Sequence, residues 1–344
     1  MSVTVRSFAK INLGLRIGAL RPDGFHELRT VYQTIALHDV IRVQPTSGSR
    51  IEIRCADPRV PTDESNTCHR IVARALAVLK MRRGVVIEIE KHLPVKGGLG
   101  GASGNAVAAL LALERALKKT MPASERLRIA AEVGSDLPLF LIGGTVIGSG
   151  RGEEVYPAME LPVIPCVIAT PDIGVSTPRA FADWDAMYGV QNGTSDPPDA
   201  GDQPSSKLTR STPSDRMLRF SHTVSAWLSG LSQNKILSGV PGSRGRGRAE
   251  TPLLDLVRTG IENDFEQVVF PQYPALRQVK RVLERAGASY ASLSGSGSAV
   301  YGLFSSRKLA AAAAAKLREQ GVPAVVTTTL TRQQYWKKLL ASSG

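Results

Sequence analysis

Val85-Val86-Ile87-Glu88-Ile89-Glu90, then Pro94-Val95-Lys96-Gly97-Gly98-Leu99-Gly100-Gly101-Ala102-Ser103-Gly104-Asn105, then Ala106–Leu117 form the stretch on which the fold turns. The first run alternates and predicts a strand, and the last predicts a helix. A glycine-rich loop between strand and helix is an anion site. Glycines let the backbone approach a phosphate, and the free N–H groups of the first helical turn point at it. The loop lacks the Gly-Lys-Ser/Thr of a Walker A motif, and no G-x-G-x-x-G pattern marks a dinucleotide fold.

The chain has 344 residues, enough for two domains with real cores. No apolar run reaches about 18 residues, so no membrane span is expected. The start, Met1-Ser2-Val3-Thr4-Val5-Arg6, lacks the apolar core of a signal peptide. Cys55, Cys68 and Cys166 are odd in number and widely spaced, which predicts a reducing, cytoplasmic setting rather than a disulfide scaffold. Cys68-His69 is not a metal signature. The formal charge of +13 suits anionic substrates as well as nucleic acid. Part of that excess sits in Arg244-Gly245-Arg246-Gly247-Arg248, in a stretch of loop composition.

Working outward, strands are expected over residues 2–6 and again over 7–17, where Lys10 and Asn12 interrupt an apolar run. Arg21-Pro22-Asp23-Gly24 predicts a turn. Strands follow over 25–35, 40–44 and 51–54, and a helix over 66–80. A helix over 123–133, with Ser124 as its cap, precedes paired strands over 140–148 and 153–156. A boundary near 157 divides an amino-terminal unit, 1–157, from a carboxy-terminal one, 158–344. Residues 190–252 shift to Gly, Pro, Ser, Asp and Arg and read as a flexible insert. It is broken by helical spacing of Met217, Phe220, Val224, Trp227, Leu228 and Leu231. The remainder reads as a strand from 163, helices over 255–266 and 273–286, a hairpin at 290–304, a helix over 307–320 and a strand over 324–330. The mixture is α+β.

Three further features bear on chemistry. Lys10 and Asn12 share one face of a strand, and a lysine among apolar neighbours is costly to bury unless it meets an anion. A solvated strand face is the plainer alternative. Asp136 lies between Gly134 and Pro138; it is either a turn carboxylate or, with Lys10, a proton acceptor beside a charge stabiliser. Ser292-Leu293-Ser294-Gly295-Ser296-Gly297-Ser298 is a second small-residue turn that would wall the same site.

Taken together, Ala9-Lys10-Ile11-Asn12-Leu13, Pro94-x-x-Gly97-Gly98-Leu99-Gly100-Gly101 and Leu293-Ser294-Gly295-Ser296-Gly297 resemble the three signature motifs of the GHMP small-molecule kinases. Within that superfamily, several segments resemble the branch that acts on cytidine-diphosphate methylerythritol. They are Arg21-Pro22-Asp23-Gly24-Phe25-His26-Glu27-Leu28, Asp136-Leu137-Pro138-Leu139-Phe140, Gly148–Glu154 and Asn263–Glu266. The resemblance spans the chain except about 190–252.

The resemblance implies a two-domain α+β fold: a first domain like the second domain of ribosomal protein S5, and a ferredoxin-like second. It implies ATP, with Mg2+, and phosphorylation of the 2-hydroxyl of the small-molecule substrate, Asp136 as base and Lys10 as its charge partner. Pro94, Val95, Lys96, Gly97, Gly98, Leu99, Gly100, Gly101, Ala102, Ser103 and Gly104 would hold ATP, with Asn66 near the adenine. Asn12, Phe25, His26, Thr177 and Phe181 would hold the substrate, His26 bonding the cytosine and the two phenylalanines stacking on it. The resemblance names no metal ligands and leaves monomer or homodimer open.

The chain departs from the branch where Phe25 replaces Tyr, Ala102-Ser103-Gly104 replaces Gly-Ser-Ser, and Thr67 follows Asn66 in place of Leu. Competing readings are another GHMP kinase, of homoserine or mevalonate type, and a basic nucleic-acid-binding protein. The last lacks interleaved aromatics on a basic face.

Overall fold

The computed structural model describes residues 1–95, 97–188, 215–225 and 261–340. Two sheets carry the architecture. The first has six strands: β1 (Val3–Leu20), β2 (His26–Thr46), β3 (Ile51–Cys55), β4 (Gly84–Glu90), β5 (Thr145–Ser149) and β6 (Glu154–Pro157). Its order is β3-β4-β2-β5-β6, with β1 paired along β2. The second has four strands: β7 (Pro165–Ala169), β8 (Tyr290–Leu293), β9 (Val300–Leu303) and β10 (Ala324–Thr328), in the order β10-β7-β9-β8. All its pairings are antiparallel. That order, with helices between the first two strands and the last two, is the ferredoxin-like arrangement.

β1 and β2 are each one long strand where the residue pattern predicts two. β1 bends through irregularities at Phe8/Ala9, Asn12/Gly14 and Ile17/Leu20, and its ladder with β2 otherwise continues from Val3↔Val43 to Leu20↔His26. Lys10 and Asn12 do not end the strand because each is buried against a polar partner. β2 pairs with β4 through Val40–Thr46 and with β5 through Thr30–Gln33.

The helices of the first layer are α1 (Thr67–Val78), α2 (Gly101–Leu117), α3 (Ala123–Val133) and the short α4 (Leu137–Phe140). Asn66 caps α1 by accepting from Cys68 N at 2.8 Å. α3 is capped at Pro122 with no side-chain bond, so Ser124 lies inside its first turn. The strand expected from 140 begins only at Thr145. Pro138 favours a helical start, and Gly143 and Gly144 (φ +71° and +72°) turn the chain before the strand.

The second sheet is covered by α5 (Thr177–Tyr188), α7 (Glu266–Gln272), α8 (Pro274–Arg285) and α9 (Arg307–Glu319). Residues 215–225, termed α6, are helical and bury Met217, Phe220 and Val224. Trp227, Leu228, Leu231 and the rest of the 190–252 insert lie outside the described residues, as does 255–260. Residues 261–265 are not helical: Leu15 N donates to Glu262 O and Asp264 N to Leu15 O, both at 2.9 Å. A last helix, α10 (Arg332–Leu339), is absent from the pattern reading. Its Tyr335 and Leu339 enter the core of the first sheet beside Phe8 and Phe140.

β1 joins the layers. Ala9, Ile11 and Leu13 pack with Cys166, Ile168, Tyr301 and Leu303 of the second sheet. Tyr301 donates its hydroxyl to Asn12 O at 2.7 Å and Tyr290 to Leu13 O at 2.8 Å. Because side chains alternate, Lys10 and Asn12 face the opposite way.

Candidate active site

The glycine loop follows β4 and opens α2, which starts at Gly101 rather than Ala106. Gly100 (φ +71°) is its N-cap, with no side-chain bond and no acidic residue in the first turn. The N–H groups of that turn are left for an anion, which the helix dipole also favours. A pocket of about 460 Å³ lies against the loop. Pro94 to Ser103 line it, apart from Lys96, which is outside the described residues, and Asn66 and Lys91 stand at its edge. Gly104 is not a lining residue. A methyl group there would lie 2.9 Å from Phe8 O and from Ser7 Oγ, so a larger side chain has no room against β1.

The second turn closes on the first. Gly98 has φ +79°, and a Cβ on it would sit 2.1 Å from Ser294 O. A Cβ on Gly297 would sit 2.4 Å from Gly98 N. Ser294 Oγ donates to Gly98 O at 3.0 Å, and Ala299 N to Gly97 O at 3.1 Å. The two loops, almost two hundred residues apart, are therefore one surface. A further pocket of about 490 Å³ opens beside Gly98 and Gly297, lined by Gly174–Pro178. There Thr177 Oγ1 lies 2.6 Å from Ser296 Oγ.

Lys10 N donates to Leu99 O at 2.9 Å, which ties β1 to the loop. The Lys10 side chain is buried; its Nζ lies 3.2 Å from Asp136 Oδ2 and donates to Asn12 Oδ1 at 2.8 Å. Asn12 Nδ2 donates to Thr30 Oγ1 at 2.8 Å, and Thr30 Oγ1 to Gly14 O at 2.7 Å. Asp136 precedes α4 and is one-third exposed, so the carboxylate opens toward solvent while its partner does not. Tyr32, fully enclosed, donates its hydroxyl to Asp136 Oδ1 at 3.1 Å. Burial, and then the Asp136 charge, push the Tyr32 phenol well above its ordinary range. It therefore remains a donor.

His26 and Phe181 meet: their rings stack at 5.0 Å and 14°, and Phe265 meets Phe181 edge-on at 5.0 Å. Phe25 stands apart. It is 51% exposed, with the Arg151 guanidinium 4.8 Å over its ring.

Pattern reasoning missed four supporting groups. Tyr32 and Thr30 lie on β2, where period-two spacing was the only signal. Asp39, wholly buried, accepts from Lys91 Nζ (2.6 Å), His92 N and Leu93 N (both 2.7 Å), and Asn105 Nδ2 (2.9 Å). One carboxylate thus binds both stems of the glycine loop. Asp185, one turn beyond Phe181, lies 2.7 Å from His26 Nε2 through Oδ1. Nothing local in the sequence marks either aspartate.

The chain matches known proteins along most of its length. Residues 66–144 match the GHMP kinases N terminal domain, and residues 250–323 match GHMP kinases C terminal. These two matches define a GHMP kinase, a small-molecule phosphotransferase. It is 36% identical over 307 residues to the 4-diphosphocytidyl-2-C-methyl-D-erythritol kinase of Solibacter usitatus, covering 88% of this chain and 81% of that one. To the enzyme of that name from Acaryochloris marina it is 33% identical, covering 92% and 91%. A crystal structure of 4-(cytidine 5'-diphospho)-2C-methyl-D-erythritol kinase superposes with a TM-score of 0.67 at 27% identity, over 95% of this chain and 99% of that one. The homoserine kinase of Cytophaga hutchinsonii shares the fold, with a TM-score of 0.66 at 21% identity over 97% and 96%. The chain belongs to the 4-diphosphocytidyl-2-C-methyl-D-erythritol kinase family. No helix among the described residues is long and apolar enough to cross a membrane.

Proposed function

We propose that this enzyme transfers the γ-phosphoryl group of ATP to the 2-hydroxyl of 4-diphosphocytidyl-2-C-methyl-D-erythritol, in the non-mevalonate route to isoprenoids. The observation that carries the mechanism is the Lys10–Asp136 pair, 3.2 Å apart and fastened to the glycine loop through Lys10 N. Asp136 takes the proton of the attacking hydroxyl. The oxygen forms its bond to the γ-phosphorus as the bond to the β-phosphate oxygen breaks, and ADP leaves. Lys10 stabilises the developing alkoxide. Phosphoryl transfer asks chiefly for positioning and charge neutralisation, which a buried ammonium and free helix N–H groups supply.

Pro94–Ser103 hold the phosphates in this reading, with Asn66 at the edge of the nucleotide pocket. Asn12 orients Lys10, Thr177 faces the substrate beside the second glycine turn, and His26 with Phe181 and Phe25 reads the cytosine. Among the described residues no group of three or more His, Cys, Asp or Glu side chains could hold a metal ion. A Mg2+ would take phosphate oxygens and water as ligands, with the Ser103 hydroxyl on hand. When bound it would neutralise phosphate charge.

An assay of ADP release with ATP, Mg2+ and the cytidine-diphosphate substrate tests this directly, with homoserine and mevalonate run alongside. Turnover of the cytidine substrate alone is expected; no release above background overturns the reading. Asp136→Ala should bind ATP with little change and lose most turnover. Unchanged turnover in that variant would remove Asp136 as the base.

A further inference from the structure

α5 presents two residues to His26. Phe181 stacks on the imidazole face, and Asp185, four positions later, meets its Nε2 at 2.7 Å. The spacing places both on one side of the helix. The His26 side chain is 7% exposed and the Asp185 side chain 33%. The helix is itself anchored: Gln272 Nε2 donates to Asp183 Oδ2 at 2.6 Å, and Arg216 lies 5.1 Å over the Trp184 ring. Among the described residues, His26 Nδ1 has no hydrogen-bond partner.

We infer that Asp185 is a positioning residue that fixes the tautomer of His26 and thereby sets the choice of cytosine over uracil. This rests on the cytidine-diphosphate reading above and names the group that enforces it. An ionised carboxylate only accepts, so the hydrogen in this contact belongs to Nε2. In the uncharged ring Nδ1 then carries a bare lone pair. That lone pair accepts from the 4-amino group of cytosine. Uracil has a carbonyl oxygen at the same place, and two acceptors would face each other. A site built to hydrogen-bond one group rejects an analogue that leaves it unpaired. Nε2 bound to a carboxylate thus becomes nucleobase discrimination at the far side of the ring, the way an outer partner orients a histidine at other sites.

The test compares the cytidine-diphosphate and uridine-diphosphate forms of the substrate. The wild-type enzyme is measured first; if it does not turn over the cytidine form, the functional reading fails and this inference goes with it. Given wild-type turnover, Asp185→Asn removes the obligatory acceptor and lets both tautomers compete. The ratio of kcat/KM for cytidine over uridine should fall by about tenfold or more, through KM for the cytidine form rather than through kcat. Asp183→Ala, which removes the acceptor of a bond from Gln272 to the same helix, should leave the ratio where it was. An unchanged ratio in Asp185→Asn, or an equal fall in Asp183→Ala, overturns the inference. A measurement on the wild-type protein does not depend on how the variants fold. Nitrogen-15 spectra of labelled histidine should show His26 protonated at Nε2 and bare at Nδ1 at the assay pH. A proton on Nδ1 in those spectra also overturns it.

Discussion

The hydroxyl of Tyr32 donates to one oxygen of Asp136 while Lys10 stands against the other. The carboxylate is thereby held in one rotamer, with its open side toward solvent. Tyr32→Phe removes the only fixed donor on Oδ1 among the described residues but keeps the ring. Loss of orientation at a reacting group costs about ten- to a hundredfold in rate. The expected result is a fall of that size in kcat with KM for ATP unchanged, read from initial rates.

Gly98 and Gly297 make one contact from its two sides. Gly98→Ala places a methyl against backbone and strains a left-handed residue, which alone costs about 1–3 kcal/mol. KM for ATP should rise and the urea midpoint fall. Gly297→Ala should do the same. The double variant should cost less than the two single costs added, because both break the same contact. Denaturation of the four proteins completes the cycle.

Asp39→Ala leaves the Lys91 ammonium, 9% exposed, without its carboxylate and frees both stems of the loop. Removing one partner of a buried pair costs about 3–5 kcal/mol. Denaturation should show a loss of that order, and ATP binding by calorimetry should weaken in the protein that remains folded.

Tyr32, Tyr290, Tyr301 and Tyr335 all have phenols pushed up first by burial. An unfolded phenol titrates near about 10. Below that pH both states keep their protons and stability is complete. Above it the unfolded chain releases protons that the folded one retains, so stability falls as pH rises. Melting temperature should decline beyond about pH 10, and most tyrosinate absorbance should appear together with unfolding.

The glycine loop, the Lys10/Asn12 face and the second turn were legible because each is a local pattern. The same logic failed where distant residues decide. Lys10 and Asn12 interrupt the apolar pattern of β1, yet Asp136 before α4 and Thr30 on β2 partner them, and the strand runs through. The helical pattern shows only from Ala106 because Gly101 and Gly104 are poor helix formers taken alone. The lack of a side chain on Gly104 lets this turn lie close against Phe8 O of β1. Asp39 and Asp185 carry no local signal at all; they matter through atoms more than fifty residues away. α10 did leave a trace, Thr331 and Gln334, whose reciprocal bonds form a capping box.

That last helix has a consequence for synthesis. Tyr335 donates to Phe140 O at 2.7 Å and Trp336 Nε1 to Ile142 O at 2.9 Å. The side chains that cover this flank of the first core are thus translated after the entire second sheet. While the ribosome is still making residues 158–330, the nascent amino-terminal layer lacks the cover over Phe8 and Phe140 that Tyr335 supplies. The halves of the polypeptide, separable on paper by their sheets, are stitched together in time as well as in space. Expressing the first unit alone would yield a body with an open apolar seam.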